Sequence, residues 1–222
     1  MIIKIAQLLR NIKLFMKIIT IANSKGGVGK STILSNIIAQ LLAMDFKVAF
    51  IDYDKQKSLT EWGKKIKGLK KIEQDNFNKK NLKKNFKYDF LCIDSPASIR
   101  EKLLEKIIKN TDILIVPTSN SNIELRACKK FLNRIYKLKK NNDNNSVRVI
   151  RIMNRLRYSK NVNNLISSSE KIIDEQFTAW LPATKCFDDQ MSVGSSINKS
   201  NYARKELIRE QLLKLISFFQ NK

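Results

Sequence analysis

Glycine, lysine and hydroxyl residues crowd into one short stretch, SKGGVGKST, at residues 24–32. Glycines let backbone N–H groups approach phosphate oxygens, and a helix that follows them adds its positive N-terminal end. In this pattern Lys30 would reach the β- and γ-phosphates of a nucleotide, the Ser31 hydroxyl would bind Mg²⁺, and Thr32 would contact the α-phosphate. The backbone cradle predicted for the phosphates comprises Gly26, Gly27, Val28 and Gly29.

The stretch departs from the common phosphate loop G-x-x-x-x-G-K-[ST], which has a glycine five residues before Gly29. Ser24 occupies that place, and Lys25 follows it. Lys25 has no defined task within one such loop. If two copies met face to face, Lys25 could stabilise charge across the interface, as an arginine supplied in trans does in other enzymes. We therefore predict a catalytic role for Lys25 that needs a second molecule.

Three aspartates could complete the chemistry. Asp94 ends the apolar run FLCID, where an acid of this kind holds the Mg²⁺ water shell. Asp52 and Asp54 follow another apolar run and share a side if that strand continues. Two acids near phosphates repel them unless Mg²⁺ or water lies between. We therefore expect Asp54 to orient the attacking water and Asp52 to support the metal site.

Apolar patterns predict the elements that must position these residues. Strands are predicted at 17–23, 47–52, 88–94, 112–117 and 147–154, with a short one near FTAWLP. Helices are predicted at 31–44, 58–69, 99–110, 123–140, about 161–175 and about 201–219. Residues 70–87 carry the weakest pattern in the chain.

Alternating strands and helices predict an α/β fold, a mostly parallel twisted sheet with helices on both faces. Ligands in such sheets bind at the carboxyl ends of the strands, where the loop and the aspartates lie. Residues 16–222 are predicted to form a single P-loop domain. Residues 1–15 form an extension of uncertain status, because Met16 opens a second natural start.

The composition is strongly basic, with 43 Lys+Arg against 20 Asp+Glu and a formal charge of +23. Such a charge favours an anionic partner, such as nucleic acid, nucleotide or an acidic membrane surface. The alternative is a surface rich in solvated lysine, as in proteins from AT-rich genomes, because isoleucine and asparagine are also abundant.

Several classes of site are excluded. The chain has no histidine, so catalysis or metal binding by histidine is impossible. The three cysteines lie far apart and fit neither a C-x-x-C metal site nor a disulfide framework. No apolar run approaches the ~20 residues that span a bilayer. We therefore expect a soluble cytoplasmic protein.

Four segments carry a resemblance to a known family. KGGVGKST resembles the deviant phosphate loop (deviant Walker A) of the ParA/MinD family of P-loop ATPases. IDYDKQKSLTEW resembles the ParA signature D-x-D-P-Q, with Lys55 in place of the proline, and SLTEW is especially similar to the small ParF-type plasmid partition ATPases. PTSNSNIEL and FDDQMSVGSSI resemble two further family segments, although Asn120 replaces a proline and Glu124 an aspartate. The resemblance runs from about residue 16 to 219.

The resemblance implies a P-loop ATPase that uses ATP and Mg²⁺. It implies that Lys25 acts across an ATP-bound sandwich homodimer, that this dimer binds DNA non-specifically at the nucleoid, and that a centromere-binding ParB/ParG-like protein stimulates a weak ATPase activity. Asn154 lies where many members place a residue that contacts the base.

Two basic segments are candidates for DNA binding. One stripe of the helix predicted at 123–140 would track phosphates without reading bases, although a solvated helix face has the same pattern. The stripe comprises Arg126, Lys130, Arg134 and Lys137. The second candidate comprises Lys199, Arg204 and Lys205.

Two other functions remain open. A MinD-like positioning ATPase would use the amphipathic last helix on a membrane, and packing of that helix on the sheet is the alternative. The D-x-D-x-Q pattern favours the ParA-like function. A nucleotide-binding adaptor without catalysis is disfavoured by the presence of Lys30, Ser31, Asp54 and Asp94.

Overall fold

The seven strands form one parallel sheet in a computed structural model that describes residues 16–74, 87–141 and 146–219. The strand order is β3-β2-β4-β1-β5-β6-β7, and every neighbouring pair is parallel. The strands are β1 (Lys17–Ile21), β2 (Val48–Asp52), β3 (Lys70–Lys71), β4 (Phe90–Asp94), β5 (Ile113–Thr118), β6 (Arg148–Leu156) and β7 (Ala179–Pro182). The predicted fold class is confirmed.

Helices connect the strands and cover both faces of the sheet. Crossovers of this kind are what parallel pairing requires. The helices are α1 (Lys30–Ala43), α2 (Ser58–Gly63), α3 (Glu101–Asn110), α4 (Asn122–Asn141), α5 (Val162–Ile173), α6 (Cys186–Ser192) and α7 (Lys205–Ser217). A short 3₁₀ helix, Ile197–Lys199, lies between the last two.

One face of the sheet carries α1, α2, α6 and α7. Their apolar side chains form a single buried cluster with alternate residues of the strands, among them Ile19 and Ile21 of the central β1. The last helix contributes Ile208, Leu212, Leu215 and Ile216 to this cluster, and Phe219 beyond its end is also fully buried. The apolar stripe of the last helix is therefore packed in the core, as the packing alternative predicted.

The opposite face carries α3 and α4, with α5 beside them. Leu114 and Val116 of β5 face this layer. The side chains predicted for the buried side of α4 are all buried, namely Cys128, Leu132, Ile135 and Leu138. Burial raises the pKa of the Cys128 thiol to about 12, with a smaller opposing effect of its Thr118 contact. Cys92, Cys128 and Cys186 are free thiols.

Parallel register brings two aspartates to one level at the carboxyl edge of the sheet. Asp94 of β4 pairs with Ile21 of β1 on one side and with Asp52 of β2 on the other. Asp94 therefore lies beside the loop that follows β1, and Asp52 lies one strand further away. The fold thus brings Asp52 and Asp94 to the edge of the sheet that carries the glycine loop, and their roles stay predictions.

The element predictions were wrong in a few places. The helix predicted at 58–69 ends at Gly63, and Gly68 then adopts a left-handed backbone with φ +82° in the turn before β3. Neither β3 nor α6 was predicted, because two residues and seven residues are too short to show a periodic pattern.

Within the described residues no helix is long and apolar enough to cross a membrane. The residues predicted as an extension, 1–15, lie outside the described ranges.

Candidate functional site

The loop between β1 and α1 is built on two glycines with left-handed backbones. Gly27 has φ +73° and Gly29 has φ +85°, a region that glycine enters without steric cost. Gly29 is the residue immediately before α1, so the first N–H groups of the helix lack partners within it. The turn therefore presents backbone N–H groups and a positive helix end, which together suit an anion.

Asn154 of β6 supports this loop from beneath. Its side-chain amide donates a hydrogen bond to the Val28 carbonyl oxygen at 2.9 Å. A Cβ atom at Gly29 would collide with the same amide, so only glycine fits both the space and the backbone. Asn154 is 5% exposed, and its amide is occupied by the loop. Its expected contact with a base stays a prediction, whereas its contact with the loop is a separate structural role.

Asn23 fixes the segment that carries the unusual lysine. The Asn23 amide donates to the Pro117 carbonyl oxygen at the end of β5. Its Oδ1 accepts the Lys25 N–H at 3.0 Å. The Lys25 side chain is exposed and has no ion pair or hydrogen bond among the described residues. The backbone of Lys25 is therefore held while its ammonium is available to another molecule.

Two opposite charges are buried behind the loop. Lys30 is 5% exposed and Asp94 is fully buried. Burial lowers the pKa of Lys30, against the opposing effect of the Asp94 and Asp54 carboxylates. Burial also raises the pKa of Asp94 to about 7; the Ser31 hydrogen bond and Lys30 oppose this rise, and the other two aspartates reinforce it.

The donor set at Ser31 and Asp94 fits Mg²⁺. The Ser31 hydroxyl donates to Asp94 Oδ2 at 2.5 Å, so the two oxygens already lie together. Asp94 Oδ1 is buried without a hydrogen-bond partner among the described residues. Hydroxyl and carboxylate oxygens are the ligands that Mg²⁺ prefers beside substrate phosphates. No cluster of three metal-ligating side chains occurs in the described ranges, and a site of this type needs none.

Asp52 and Asp54 belong to one tight turn after β2. Asp52 Oδ1 accepts the Asp54 N–H at 2.9 Å, and Oδ2 accepts both the N–H and the hydroxyl of Thr60. Asp52 thus holds the turn onto the start of α2, and its expected support of the metal site stays a prediction. Asp54 is half-buried and accepts the Gln56 N–H at 2.9 Å. The turn aims Asp54 at the loop opposite.

A cavity of about 290 Å³ joins these parts. Its phosphate side is formed by Gly27, Gly29, Lys30, Ser31 and Thr32. Its second side is the turn after β2, with Asp54, Gln56 and Ser58. Its third side, which sequence reasoning missed, consists of Arg155, Asp188 and Met191. Asp188 and Met191 lie within FDDQMSVGSSI and Arg155 directly follows Asn154, but no spacing in the sequence shows that the fold brings all three to one cavity. Lys25 does not line the cavity.

The DNA-binding candidates form two separate surfaces. Arg126 and Lys130 are exposed on α4, whereas Arg134 is partly engaged by Glu101 at 3.4 Å. Lys199 and Arg204 are exposed on the other face of the sheet, and Lys205 is half-buried at the start of α7. The Arg204 guanidinium lies 4.3 Å from the centre of the Tyr158 ring. The sheet separates the two candidate surfaces.

The chain has a glycine loop after the central strand, a helix that begins with lysine and serine, and an acid at the end of the neighbouring strand. Together these features define a P-loop nucleotide-binding protein. The profile of the family described as CobQ/CobB/MinD/ParA nucleotide binding domain matches residues 19–197. The chain therefore belongs to this family, which includes the ParA/MinD ATPases.

Solved structures share the fold. The chain superposes on a MinC:MinD cell division complex from Aquifex aeolicus with TM-score 0.71 and 17% identity, covering 93% of this chain and 96% of that one. The ATP complex of a McdA variant from Cyanothece gives TM-score 0.71 at 17% identity, over 94% and 98% of the two chains. A plasmid partition protein from Borrelia burgdorferi B31 bound to AMPPNP gives TM-score 0.66 at 22% identity, over 92% and 99%.

Curated relatives are matched over part of their length. "Maintenance of carboxysome distribution protein A" of Gloeobacter kilaueensis is 27% identical over 115 residues, half of this chain and 53% of that protein. The protein of the same description from Halothiobacillus neapolitanus is 28% identical over 132 residues, 56% of this chain and 60% of its own length. The chain thus spans between half and two thirds of these relatives.

Substitution by alanine should have unequal effects at Gly29 and Gly26 of the loop. Gly29→Ala should lower the free energy of unfolding of the nucleotide-free protein by about 1–3 kcal/mol, because it strains the backbone and collides with Asn154. Gly26→Ala is the matched control: its Cβ would lie 3.6 Å from Ala97, an ordinary contact, so we expect a change within about 1 kcal/mol. Urea unfolding measures both, and equal losses would contradict the assignment.

The buried Asp94 predicts a pH dependence of stability. Its pKa is about 7 in the folded protein against an ordinary 3.8, so between these values the folded state holds a proton that the unfolded state releases. Asp94 should therefore lower the free energy of unfolding of the metal-free protein as the pH rises from about 4 to about 7.

Asp94→Asn should remove this contribution. At about pH 8 in EDTA, we expect the variant to exceed the wild type in unfolding free energy by more than about 1 kcal/mol, with a smaller difference at about pH 5. Asp189→Asn, at an exposed position, should show no such change. A variant that is less stable than the wild type at both pH values would refute the prediction.

Proposed function

We propose that this protein is a ParA-like ATPase of DNA partition, resembling the small ParF-type plasmid partition ATPases. The observation that carries the proposal is the arrangement of two lysines in one loop. Lys30 is buried at the phosphate side of the cavity, whereas Lys25 is exposed and lies outside the cavity. One lysine thus serves the molecule's own nucleotide, and the other is available to a partner's nucleotide.

Within one molecule the proposed reaction is hydrolysis of ATP. Backbone N–H groups of the loop and the Lys30 ammonium bind the β- and γ-phosphates. Ser31 and Asp94 would hold Mg²⁺, which would neutralise charge on the phosphates. Asp54, on the opposite side of the cavity, orients the attacking water. Positioning and electrostatics supply most of the catalysis in phosphoryl transfer, so a weak intrinsic rate is expected while Lys25 has no partner.

Two copies joined across their nucleotides would complete the site. In such a sandwich homodimer, the Lys25 ammonium of each copy stabilises the charge on the phosphates of the other. The contact of the Lys25 N–H with Asn23 fixes the base of this side chain, which lowers the entropy lost when the ammonium binds. ATP would then act as the ligand that joins the dimer.

The basic surface suits a non-specific partner at the nucleoid. A formal charge of +23 and two exposed cationic surfaces favour contacts with DNA phosphates that carry no sequence information. We assign the DNA contacts to Lys199, Arg204 and Lys205 or to the α4 stripe with Arg126, Lys130 and Arg134. A centromere-binding ParB/ParG-like protein would stimulate hydrolysis and release the dimer.

The cargo could also be a protein body. The curated relatives are described as distributing carboxysomes, so the same ATPase cycle could position a cargo other than DNA along the nucleoid. The resemblance of SLTEW to ParF-type proteins favours plasmid DNA. A MinD-like membrane function is disfavoured, because the apolar face of α7 is buried in the core.

The proposal predicts that ATP controls DNA binding. With ATP, the purified protein should bind duplex DNA of any sequence, and the affinity should fall by about tenfold or more between low and physiological salt. With ADP the affinity should be at least tenfold weaker. Fluorescence anisotropy with two unrelated duplexes measures both effects, and DNA affinity that is indifferent to the nucleotide would rule out this switch.

Replacing each of the two lysines should impair a different step of the ATPase cycle. Lys30→Ala should lose nucleotide affinity by more than about tenfold, because the phosphates lose their charged ligand. Lys25→Ala should bind ATP within about twofold of the wild type but should neither dimerise with ATP nor hydrolyse it. Nucleotide titration and light scattering after chromatography separate the two results. Equal loss of nucleotide binding in both variants would contradict the role of Lys25 in trans.

A further inference from the structure

The turn that carries Asp54 leaves the sheet after β2, so pairing within the sheet does not fix its position. We propose that Thr60 and Trp62 of α2 are positioning residues for ATP hydrolysis, which hold this turn in place opposite the phosphate loop. The inference rests on the proposed function, in which Asp54 orients the attacking water.

Thr60 holds the turn through a buried carboxylate. Asp52 is fully buried, and its Oδ2 accepts the Thr60 hydroxyl at 2.8 Å and the Thr60 N–H at 2.9 Å. Its other oxygen, Oδ1, accepts the N–H of Asp54 at 2.9 Å. Hydrogen bonds to a carboxylate are stronger than those between neutral groups. The start of α2 therefore holds the backbone that carries Asp54.

Trp62 joins the same helix to a segment far away in the sequence. Its side chain is buried, and its indole N–H donates to the Ser195 carbonyl oxygen at 2.8 Å. Beside this bond, the Lys65 ammonium donates to the Ser192 carbonyl oxygen at 2.5 Å. A Cβ atom at Gly194 would collide with the Lys65 side chain, so the two segments are in close contact. The position of α2 is thus set by the segment that follows α6.

The segment after α6 is also bonded to the helix that begins in the phosphate loop. The Ile197 N–H donates to Asn36 Oδ1 at 2.9 Å. The Asn36 amide donates to the Thr32 carbonyl oxygen at 2.9 Å, in the first turn of α1. Asn36 is buried, so water does not compete for these bonds. Residues 195–197 therefore join α1 to α2 behind the cavity.

A chain of hydrogen bonds thus runs behind the cavity from the first turn of α1 to the turn that carries Asp54. Its four side chains are Asn36, Trp62, Thr60 and Asp52. Phosphoryl transfer depends on positioning, and a displacement of about 1 Å can lower a rate by about a hundredfold. Breaking the chain at Trp62 would let the Asp54 turn move, whereas the loop and Lys30 would still bind the phosphates.

The test compares kcat for ATP hydrolysis with the dissociation constant for ATP. Trp62→Phe keeps a ring in the core but removes the N–H donor. We expect its kcat to be about tenfold lower and its dissociation constant to stay within about twofold of the wild type. Trp180→Phe is the matched control, because the Trp180 indole donates no hydrogen bond in the part of the chain that the structure describes. Both constants of this control should stay within about twofold.

Thr60 supplies a second pair of variants with little change in shape. Thr60→Val removes the hydroxyl that donates to Asp52, so its kcat should fall by about fivefold or more at unchanged ATP affinity. Thr60→Ser keeps a hydroxyl and should hydrolyse ATP within about twofold of the wild type. Light scattering with ATP should show the same dimerisation in all of these variants. Loss of dimerisation in Trp62→Phe and Thr60→Val would overturn the inference in favour of an effect on the dimer.

Double variants separate positioning from a general loss of structure. Asp54→Asn removes the carboxylate through which both residues act, so adding Trp62→Phe or Thr60→Val should leave the residual kcat within about twofold. Effects that multiply in the double variants would overturn the inference, and so would an ATP affinity that falls together with kcat. A wild-type protein that does not hydrolyse ATP would instead refute the proposed function itself.

Discussion

Burial of the Lys30 and Asp94 charges at the carboxyl edge of the sheet is the constraint on which the site depends. Burial lowers the pKa of Lys30 and raises the pKa of Asp94, so both shifts favour the neutral form. The mutual attraction of the two charges opposes only part of each shift. A buried polar atom without a partner costs about 1–3 kcal/mol, and Asp94 Oδ1 is such an atom among the described residues. Phosphates and a divalent cation are the ligands that would satisfy both charges together. Ligand binding and stability are therefore linked through this pair.

The surrounding fold keeps the loops at this edge in place by contacts between them. Asn23 joins the phosphate loop to the end of β5, and Asn154 joins it to β6. Asp52 joins the turn after β2 to α2. Each contact connects a polar side chain to backbone, so the positions of the loops depend on few side-chain conformations. A buried parallel sheet supplies the rigid base that such precise placement needs.

Sequence reasoning succeeded where local chemistry determines the structure. The phosphate loop, Asp94 and most strands and helices were predicted, because glycine, a charged strand end and apolar periodicity are local signals. The third side of the cavity was missed, because the bulge at Arg155 forms only when β6 pairs with β7 and α6 is too short to show a periodic pattern. The bonds of Asp52 were missed for a similar reason: its partner Thr60 lies across a turn whose shape no pattern reveals.

The cavity also unites parts of the chain that lie far apart in sequence, since its sides include Gly27 and Met191. During synthesis, the phosphate loop leaves the ribosome long before β6 and α6 exist, and domains at first fold only as far as their emerged elements allow. A ligand that contacts both parts would stabilise a chain translated through α6 more than a shorter one, which holds the loop but no complete cavity.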